Sequence, residues 1–600
     1  MSTTTNQNEY PLAPNSYAAF DAISLRNLVI QRLNDQGLFT DQNYIGSNLA
    51  SVIDIVSFAF NTLIYYLNKT STESTFTEAQ LYENINRIVK ILDYKPIGYQ
   101  TSTLSFQASA NSLFGQGSFA IPRYSYITVG GVSFSFNKDI FFKIPVANTV
   151  TPLTDITNTT LLYQGVYGEN PLYTAAGDPS EVVPITITST TIDHFNIDVY
   201  VYEIDRGLWF QYTNVPNLYT EQAFGRSFEK RLNQNGMYEI TFGDGINGRK
   251  LSAGDKVAIY ALQSSGTAGV VGPSTLSNPN ATPVVYSTTT FDKVWNDVTS
   301  AEQYVPISPA SFKNIYFNNT VGSTFPVDAE NADSIRAHAP TNFKSQYRLV
   351  TQQDYQTFVS TNFANFISDV KVFTNWDYTG KYLKYFNDIQ VSPTEFRQIL
   401  LNQVLYSDAC NFNNIYICAK PKTSQGSTLK YLLPAQKEAI LSNVNPLKVM
   451  STEVTFVDPI YKAVSFGIPS VNGVVASEAQ FAQFQVVRNT TSRRSDNSIL
   501  ANVGAVFNNF FNPSNFKIGG AFDYASLLSS ILSVDGVTKV RTLRADTGDV
   551  YEGLSFFMWN PTFPTLDIQQ VTSSPIIGEF EVVYFNNLSS ILSNISIVTS

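Results

Sequence analysis

The stretch ITFGDGINGRKLSAGDKVAIYALQSSGTAGVVG, residues 240–272, holds seven glycines and two Gly-Asp pairs between two strand-like runs. A Walker phosphate loop has the pattern GxxxxGK[ST], but GDGINGRK has a different spacing and no Ser or Thr after its Lys. A Rossmann fingerprint is followed by a helix, whereas these glycines have strands on both sides. A calcium loop carries alternating carboxylates and a late Glu, and here only Asp244, Asn247 and Asp255 are suitable. The stretch therefore favours neither a nucleotide site nor a metal site.

The same residues suit a tight connection within a β-sheet. Gly243, Gly245 and Gly248 can adopt positive φ without a steric penalty. The side chains of Asp244 and Asn247 can bond their own backbone, as Asx residues do in turns. We predict a structural turn in which Asp244 is a cap and not a catalyst.

Outward from this turn, residues 96–325 are rich in short segments that alternate apolar and polar side chains, such as SYITVGGVSFSF and MYEITFGDG. Gly, Pro and Asn separate these segments, a pattern typical of strands joined by turns. We predict a central β-rich domain, sandwich-like or barrel-like. Within it, the turn-rich region at about 150–235 is predicted to be a surface insertion.

Residues 1–95 have a helical period instead, and we predict a helical domain there. One apolar stripe continues for about six turns, and a later helix with Leu81, Ile85, Ile88 and Leu92 ends before Pro96, which forbids further helix. Either this stripe packs inside the domain, or it accepts a helix of a partner protein. Its members are Ile45, Leu49, Val52, Val56, Phe60, Leu63 and Leu67.

Helices and strands mix after residue 325, and we predict α/β modules at 326–460 and 461–600. The segments that begin at Asp354 and at Asp523 both open with Asp-Tyr, continue with a helical pattern and end in a Val-rich strand. Two related modules would explain this similarity. Two unrelated amphipathic helices, each followed by a strand, would explain it equally well. The whole chain is thus predicted to be a multidomain α+β protein.

The segment 331–358 groups charges of both signs in a charge-poor chain. It carries Arg336, Lys344 and Arg348 together with acidic residues. Such a run is usually a solvated helix face, but it is also a candidate interaction segment.

Composition excludes some classes of function. Charged residues make up 14% of the chain and the net charge is −10, so there is no basic footprint for nucleic acid. A surface with few charges suits a protein covered by neighbours, or a secreted β-rich protein with a neutral polar coat. The longest apolar run, Val52 to Leu67, contains Asp54 and Asn61, and no signal peptide precedes it. We expect neither a membrane span nor export, and synthesis in a cytoplasm.

Catalytic residue patterns are scarce. The chain has two histidines, His194 and His338, which nearly excludes an imidazole-based metal cluster. Cys410 and Cys418 are too few for a disulfide framework, and we expect free thiols. No GxSxG elbow is present. We expect no cofactor and no metal, although the paired carboxylates of a glycosidase stay open as an alternative.

Taken together, several stretches resemble the baseplate J-like proteins of contractile-tailed phages. These are residues 240–272, ADSIRAHAPTNFKSQYRLVTQQDYQTFV at 332–359, LLPAQKEAILSNVNPLKVMSTEVTFVDPIYKAV at 432–464, and FKIGGAFDYASLLSSILSVDGVTKVR at 516–541. The amino-terminal residues 51–96 are similar to those of the large wedge subunits of T4-like baseplates.

The resemblance implies a structural protein of the virion tail and no enzyme. It implies assembly in the host cytoplasm, a homodimer within each wedge, and a ring of copies in a six-fold baseplate around the tail tube and beneath the sheath. It further implies that the helical domain joins a long wedge partner, beside other wedge and hub proteins. Hinges are expected near residue 96 and residues 320–330, so that domains rotate when the sheath contracts. A carbohydrate-binding or glycan-hydrolysing tail fibre or spike is the alternative.

Overall fold

The computed structural model describes residues 22–36, 47–187, 191–233, 236–277, 280–299, 304–345, 348–390, 414–422, 431–466, 482–544, 550–563, 567–586, 592–593 and 595–599. Ile45 of the predicted stripe and Cys410 lie outside these residues. The chain divides into two compact units: Met1–Lys95 with Asn331–Ala339, and Pro96–Glu330 with Pro340–Ser600.

The described helices span both units. They are α1 (Ala22–Gln36), α2 (Asn48–Glu73), α3 (Tyr82–Val89), α4 (Thr154–Thr159), α5 (Thr289–Thr299), α6 (Pro309–Phe312), α7 (Ala332–Ser345), α8 (Gln352–Asn362), α9 (Asn375–Asp377), α10 (Lys384–Asp388), α11 (Pro434–Val444), α12 (Asp496–Phe510) and α13 (Tyr524–Leu532). A π-helical turn, Tyr378–Leu383, joins α9 to α10.

The first unit is a small helical domain whose core needs two separate pieces of the chain. Ile85 and Val89 of α3 are fully buried against Ile335 and Ala339, which belong to the first part of α7. The carboxylate of Glu73, at the end of α2, accepts hydrogen bonds from the backbone at the start of α3. The segment 331–339 therefore completes a core begun by residues 1–95.

The second unit contains every described strand. The strands up to residue 318 are β1 (Thr103–Leu104), β2 (Gln107–Ala110), β3 (Gly117–Ile121), β4 (Tyr126–Val129), β5 (Val132–Phe136), β6 (Ile140–Ile144), β7 (Thr151–Pro152), β8 (Leu162–Gln164), β9 (Val166–Glu169), β10 (Tyr173–Thr174), β11 (Val182–Pro184), β12 (Ile192–Glu203), β13 (Leu208–Asn214), β14 (Ser227–Leu232), β15 (Tyr238–Phe242), β16 (Lys256–Gln263), β17 (Thr282–Val284), β18 (Val305–Pro306) and β19 (Ile315–Asn318).

These strands form four sheets. Five strands pair in the order β1-β8-β5-β4-β17, and a larger sheet has the order β10-β16-β12-β13-β14-β15-β11, with β9 also paired to β16. Two three-stranded sheets have the orders β18-β3-β6 and β19-β2-β7. The central region is β-rich, as the alternating pattern predicts.

The prediction of a surface insertion at 150–235 is wrong. This region supplies β8 to β14, and within β12 the side chains of Val199 and Val201 are completely buried. β12 is an inner strand, because it pairs with β16 on one side and β13 on the other. Turn residues are frequent here because the strands are short and closely connected, and not because the segment leaves the core.

The remaining strands belong to two α/β modules. They are β20 (Ile367–Thr374), β21 (Asn414–Pro421), β22 (Glu453–Val457), β23 (Ile460–Ser465), β24 (Ala482–Arg488), β25 (Val537–Arg544), β26 (Val550–Glu552), β27 (Phe556–Trp559), β28 (Ile568–Val571), β29 (Glu581–Phe585) and β30 (Ile595–Thr599). They form sheets with the orders β20-β21-β22, β28-β27-β23-β29 and β26-β25-β24-β30.

The similarity between the two modules extends to the way their strands pair. Helix α8 leads into β20, which pairs antiparallel with β21, and β21 pairs parallel with β22. Helix α13 leads into β25, which pairs antiparallel with β24, and β24 pairs parallel with β30. Both modules thus place one strand between an antiparallel and a parallel neighbour.

The two modules share a hydrophobic core. Phe373 of β20 stacks on Phe580 with ring centroids 3.8 Å apart. The buried ammonium of Lys420 donates to the carbonyl oxygens of Pro513 and Phe516, each at 2.6 Å. Burial in this core also raises the pKa of the Cys418 thiol, which is therefore protonated and unreactive at neutral pH. The modules are held together by packing as well as by the chain.

Candidate interaction surface

Helix α2 is the longest described helix. It begins after Ser47, whose hydroxyl accepts hydrogen bonds from the backbone N–H groups of Leu49 (3.1 Å) and Ala50 (3.5 Å). Helices of this length need no tertiary support to nucleate, but in proteins they are stabilised mainly by a packed apolar face.

The described residues of its unit cover only one narrow side of α2. Ile53 is 4% exposed and Ser57 is buried beside it. Helix α1 packs against α2, and the guanidinium Nε of Arg26 lies 2.5 Å from a carboxylate oxygen of Asp54. This packing leaves most of the helix circumference in contact with solvent.

The predicted apolar stripe lies on the uncovered part of the helix. Leu49 is half-buried, and the other described members of the stripe are exposed. Their exposed fractions are 55% for Val52, 38% for Val56, 55% for Phe60, 63% for Leu63 and 70% for Leu67.

The exposed apolar surface is wider than the stripe. Ile55, Phe58, Tyr65 and Tyr66 are each more than half exposed and lie off the predicted stripe. Their signal in the sequence is that large apolar residues also occur between the members of the stripe. By length and composition alone α2 could also cross a membrane.

The glycine-rich turn is built around Asp244. One of its carboxylate oxygens accepts hydrogen bonds from the backbone N–H groups of Ile246 (2.8 Å) and Asn247 (2.6 Å). These bonds from Asn247 and Ile246 hold the pKa of Asp244 below its usual range. The Asp244 carboxylate is thus occupied with backbone donors.

The three glycines of this turn have two different roles. Gly245 and Gly248 have φ of 93° and 80°, in the left-handed region that glycine tolerates best. Gly243 does not have positive φ; instead, a Cβ there would lie 2.3 Å from the backbone of Gly248. Close approach of two backbone segments, and not an unusual φ, explains the glycine at 243.

An ion cluster beside the turn was not predicted from the sequence. The fully buried carboxylate of Glu203 pairs with Arg226 at 2.7 Å, Arg249 at 3.1 Å and Arg206 at 3.5 Å. The guanidinium of Arg226 also lies over the ring of Phe210, 3.7 Å from its centroid. The hydrogen bond to Glu203 raises the pKa of Arg226, and the cluster fixes the end of β12 against the turn.

The charged segment is divided between the two units. Arg336 lies in the part of α7 that belongs to the first unit, where it pairs with Asp333 and donates to the carbonyl oxygen of Ala79. Lys344 and Arg348 belong to the second unit, and both are exposed. Arg336 is thus engaged in an intramolecular contact, whereas the other two face solvent.

The buried histidine of the β-rich domain acts as a structural acceptor. The Nδ1 atom of His194 accepts the backbone N–H of Gly98 at 3.1 Å and lies 3.0 Å from the hydroxyl of Tyr238. Burial, with the nearby cation of Lys230, lowers the pKa of His194 well below its ordinary value. In the described residues, no group of three or more His, Cys, Asp or Glu side chains could hold a metal ion.

Comparison with known proteins gives one sequence relative of note. The chain is 22% identical over 365 residues to the baseplate wedge protein gp6 of Enterobacteria phage T4, which covers 58% of this chain and 51% of that protein. The chain thus spans about half the length of this relative. No protein-family model matches the chain.

Two solved structures also give matches. The anti-feeding prophage baseplate is 11% identical and covers 94% of this chain and 98% of its own, with a TM-score of 0.28. The TssK-TssF-TssG baseplate subcomplex of the type VI secretion system is 6% identical and covers 68% of this chain and 96% of its own, also at 0.28. At these TM-scores the likeness carries no argument about fold or function.

Proposed function

We propose that this chain is a structural subunit of a contractile-tail baseplate and acts through protein contacts and not through catalysis. The observation that carries the proposal is the similarity over 365 residues to a baseplate wedge protein. The exposed apolar surface of α2 supports it independently, because soluble proteins rarely leave a large contiguous apolar patch in water.

The size of this surface indicates the kind of partner. Completing the burial of the five exposed stripe side chains would contribute roughly 5 kcal/mol, at about 1 kcal/mol for each half-exposed residue. Association alone costs about 4–15 kcal/mol, so the stripe by itself would give little net affinity. A partner must also cover Ile55, Phe58, Tyr65 and Tyr66, as a surrounding helix bundle would.

The proposed assembly follows the family resemblance. The helical domain 1–95 would join the bundle with a long wedge partner and a second copy of this chain. The domain 96–325 and the modules 326–460 and 461–600 would connect copies into a ring near the tail tube, sheath and hub. Hinges near residue 96 and residues 320–330 would let these parts rotate when the virion contracts.

One experiment tests the proposal at α2. The chain carrying Val56→Asp and Phe60→Asp is co-expressed with the neighbouring tail proteins, and complexes are identified by affinity purification and native mass spectrometry. Both positions are exposed, so the variant should fold normally but lose its complexes, because two carboxylates cannot be buried in an apolar bundle. A matched control, Ser51→Asp with Asn68→Asp, adds the same charges at exposed polar positions and should keep them.

Each other outcome contradicts a stated part of the proposal. Unfolding of the helical domain by Val56→Asp and Phe60→Asp would show that the stripe packs internally. Flotation of the chain with phosphatidylcholine vesicles, lost in the same variant, would assign α2 to a membrane. Binding or cleavage of glycans, without complexes with tail proteins, would favour the fibre or spike alternative.

A further inference from the structure

A groove of about 910 Å³ lies in the second unit, far in sequence from α2. It is lined by β2 and β19 of one sheet, by β17 and the loop before it, and by the start of α11. It is open along one side, so its walls could contact an elongated ligand.

Strand β19 forms one wall and is the edge of its sheet. Of the described strands it pairs with β2 alone, in the antiparallel register Ile315↔Ala110 to Asn318↔Gln107. The backbone N–H of Asn111 donates to the carbonyl of Asn314, which makes 111 and 314 a hydrogen-bonded pair. Such pairs alternate with non-bonded pairs along an antiparallel ladder.

The alternation defines which backbone groups face away from β2. Tyr316 and Asn318 direct their N–H and C=O groups toward β2, whereas Ile315 and Phe317 direct theirs outward. Within the described residues no backbone group pairs with the outward groups of Ile315 and Phe317. Ile315 and Phe317 are only 3% and 7% exposed, because their side chains lie in the core, so their two outward donors and two outward acceptors can meet another extended chain only through the groove that these residues line.

The other edge strand in the groove cannot serve equally well. β17 pairs only with β4, but its central residue is Pro283, which has no N–H to donate. Proline on an edge strand is a common protection against pairing. β19 has the sequence IYFN, with neither proline nor charge. The groove therefore favours pairing along β19.

The charges of the groove lining favour a ligand that carries negative charge. Among the described residues that line it, Lys313 is the only charged one, and none is a carboxylate. Helix α11 also begins here, at Leu433, Pro434 and Ala435, and a helix start favours negative charge. For a chain of net charge −10, this lining is unusually free of acidic side chains.

Two polar atoms in the groove lining have no partner among the described residues. They are the hydroxyl of Ser105 and the side-chain oxygen of Asn318, both shielded from solvent. The exposed ring of Tyr316 stands in the same lining. Of these groups, the exposed ring of Tyr316 could contact the side chains of a bound strand.

We propose that this groove binds an extended peptide segment of another protein, which carries an acidic side chain and adds to the sheet as a strand beside β19. Main-chain hydrogen bonds to Ile315 and Phe317 would supply affinity, and a carboxylate near Lys313 would supply selectivity. This proposal does not rest on the baseplate function or on α2.

Hydrogen exchange with residue-level mass spectrometry tests the pairing. The probe is the peptide acetyl-Thr-Val-Thr-Val-Asp-Val-Thr-amide, added to the full chain in excess. Exchange at the amides of Ile315 and Phe317 should slow at least tenfold. Exchange at Tyr316 and Asn318 should not change, because these amides already bond to β2. A peptide N-methylated at alternate residues cannot pair and should have no effect.

A charge reversal tests the selectivity. Lys313→Glu should weaken binding of the Asp peptide at least fivefold and should strengthen binding of the same peptide with Lys in place of Asp. Lys143→Glu is the matched control, since Lys143 is exposed on β6 outside the groove, and it should change neither affinity.

The proposal is overturned if no peptide protects Ile315 and Phe317, or if the N-methylated peptide binds equally well. It is also overturned if maltohexaose or chitohexaose occupies the groove and the acidic peptide does not.

Discussion

At the scale of single residues, three polar side chains of the β-rich domain help to hold the fold together. Asp244 is occupied by backbone donors, and Glu203 by three guanidinium groups. His194 accepts a backbone N–H in a buried site. Glu203 is fully buried and lacks the open approach to a substrate that a catalytic acid or base needs. Their chemistry accounts for a rigid domain.

Because these glycines have two different roles, we predict that their Gly→Ala variants differ in stability in a definite order. Gly243→Ala should lower the thermal unfolding midpoint most, because its Cβ would overlap the backbone of Gly248. Gly245→Ala should cost about 1–2 kcal/mol, the penalty of left-handed φ for a residue with Cβ. Gly272→Ala, which meets nothing within 4 Å, is the control. Equal effects at 243 and 272 in calorimetry would contradict this interpretation.

Burial of His194 predicts a pH dependence. Its pKa is lowered in the folded state, so the unfolded chain binds a proton first as pH falls below about 6.5. Stability of the β-rich domain should therefore decrease as pH falls from about 6.5, by at most about 1.4 kcal/mol per pH unit from this residue.

The measurement is the calorimetric midpoint between pH 7 and pH 5. His194→Asn retains an acceptor near the Nδ1 position but does not titrate, so its midpoint should vary less with pH. His338→Asn is the control and should keep the dependence of the unchanged chain. A midpoint that varies equally in all three proteins would exclude His194 as the cause.

At the scale of elements, the two modules use similar local devices before each strand. Helix α8 has a capping box: the Thr351 hydroxyl accepts the N–H of Asp354, and the Asp354 carboxylate accepts the N–H of Thr351. Helix α13 begins at Asp523, whose carboxylate accepts the N–H of Ser526. Such caps define where a helix starts, while packing against a strand decides where it lies.

The cap of α8 can be tested by local exchange. Thr351→Ala should destabilise the first turn of α8 by about 1 kcal/mol, because one backbone donor loses its acceptor. Hydrogen exchange in that turn should become about fivefold faster, with little change elsewhere. Ser360→Ala, at an exposed position within the same helix, should not accelerate it. Unchanged exchange in Thr351→Ala would show that packing alone fixes the start of α8.

At the scale of the whole molecule, the first unit is discontinuous in sequence. The described part of residues 1–95 contributes three helices, but Ile335 and Ala339 come from a segment more than 200 residues later. The second unit is continuous across residue 460, where the two modules share a core. The boundaries predicted from the sequence, at residues 95 and 460, thus differ from the boundaries of the two compact units.

This organisation predicts how fragments behave. A fragment of residues 1–95 should lose the α3 helix, because Ile85 and Val89 would be exposed. The same fragment with residues 331–339 attached through a Gly/Ser linker should recover it. Circular dichroism and hydrogen exchange of α3 measure the difference. Equal helicity in the two fragments would show that α7 is dispensable for this core.

The sequence alone determined that the chain is a mixture of helical and β-rich parts, because apolar periods of 3.6 and 2 need no tertiary information. It determined the existence of α2 and the connection at Asp244. It did not identify which side of α2 is covered, since Ile53 and Val56 are both apolar and the pattern by itself gives no preference between them.

Only the tertiary structure decided the long-range relations. It placed residues 162–232 inside the β-rich domain, brought three arginines to Glu203 and left the outer edge of β19 unpaired. Strand pairing and ion pairing join residues far apart in sequence, and their partners are selected by the packing of the whole domain. Local pattern therefore determines elements, and global packing determines which surfaces stay open for partners.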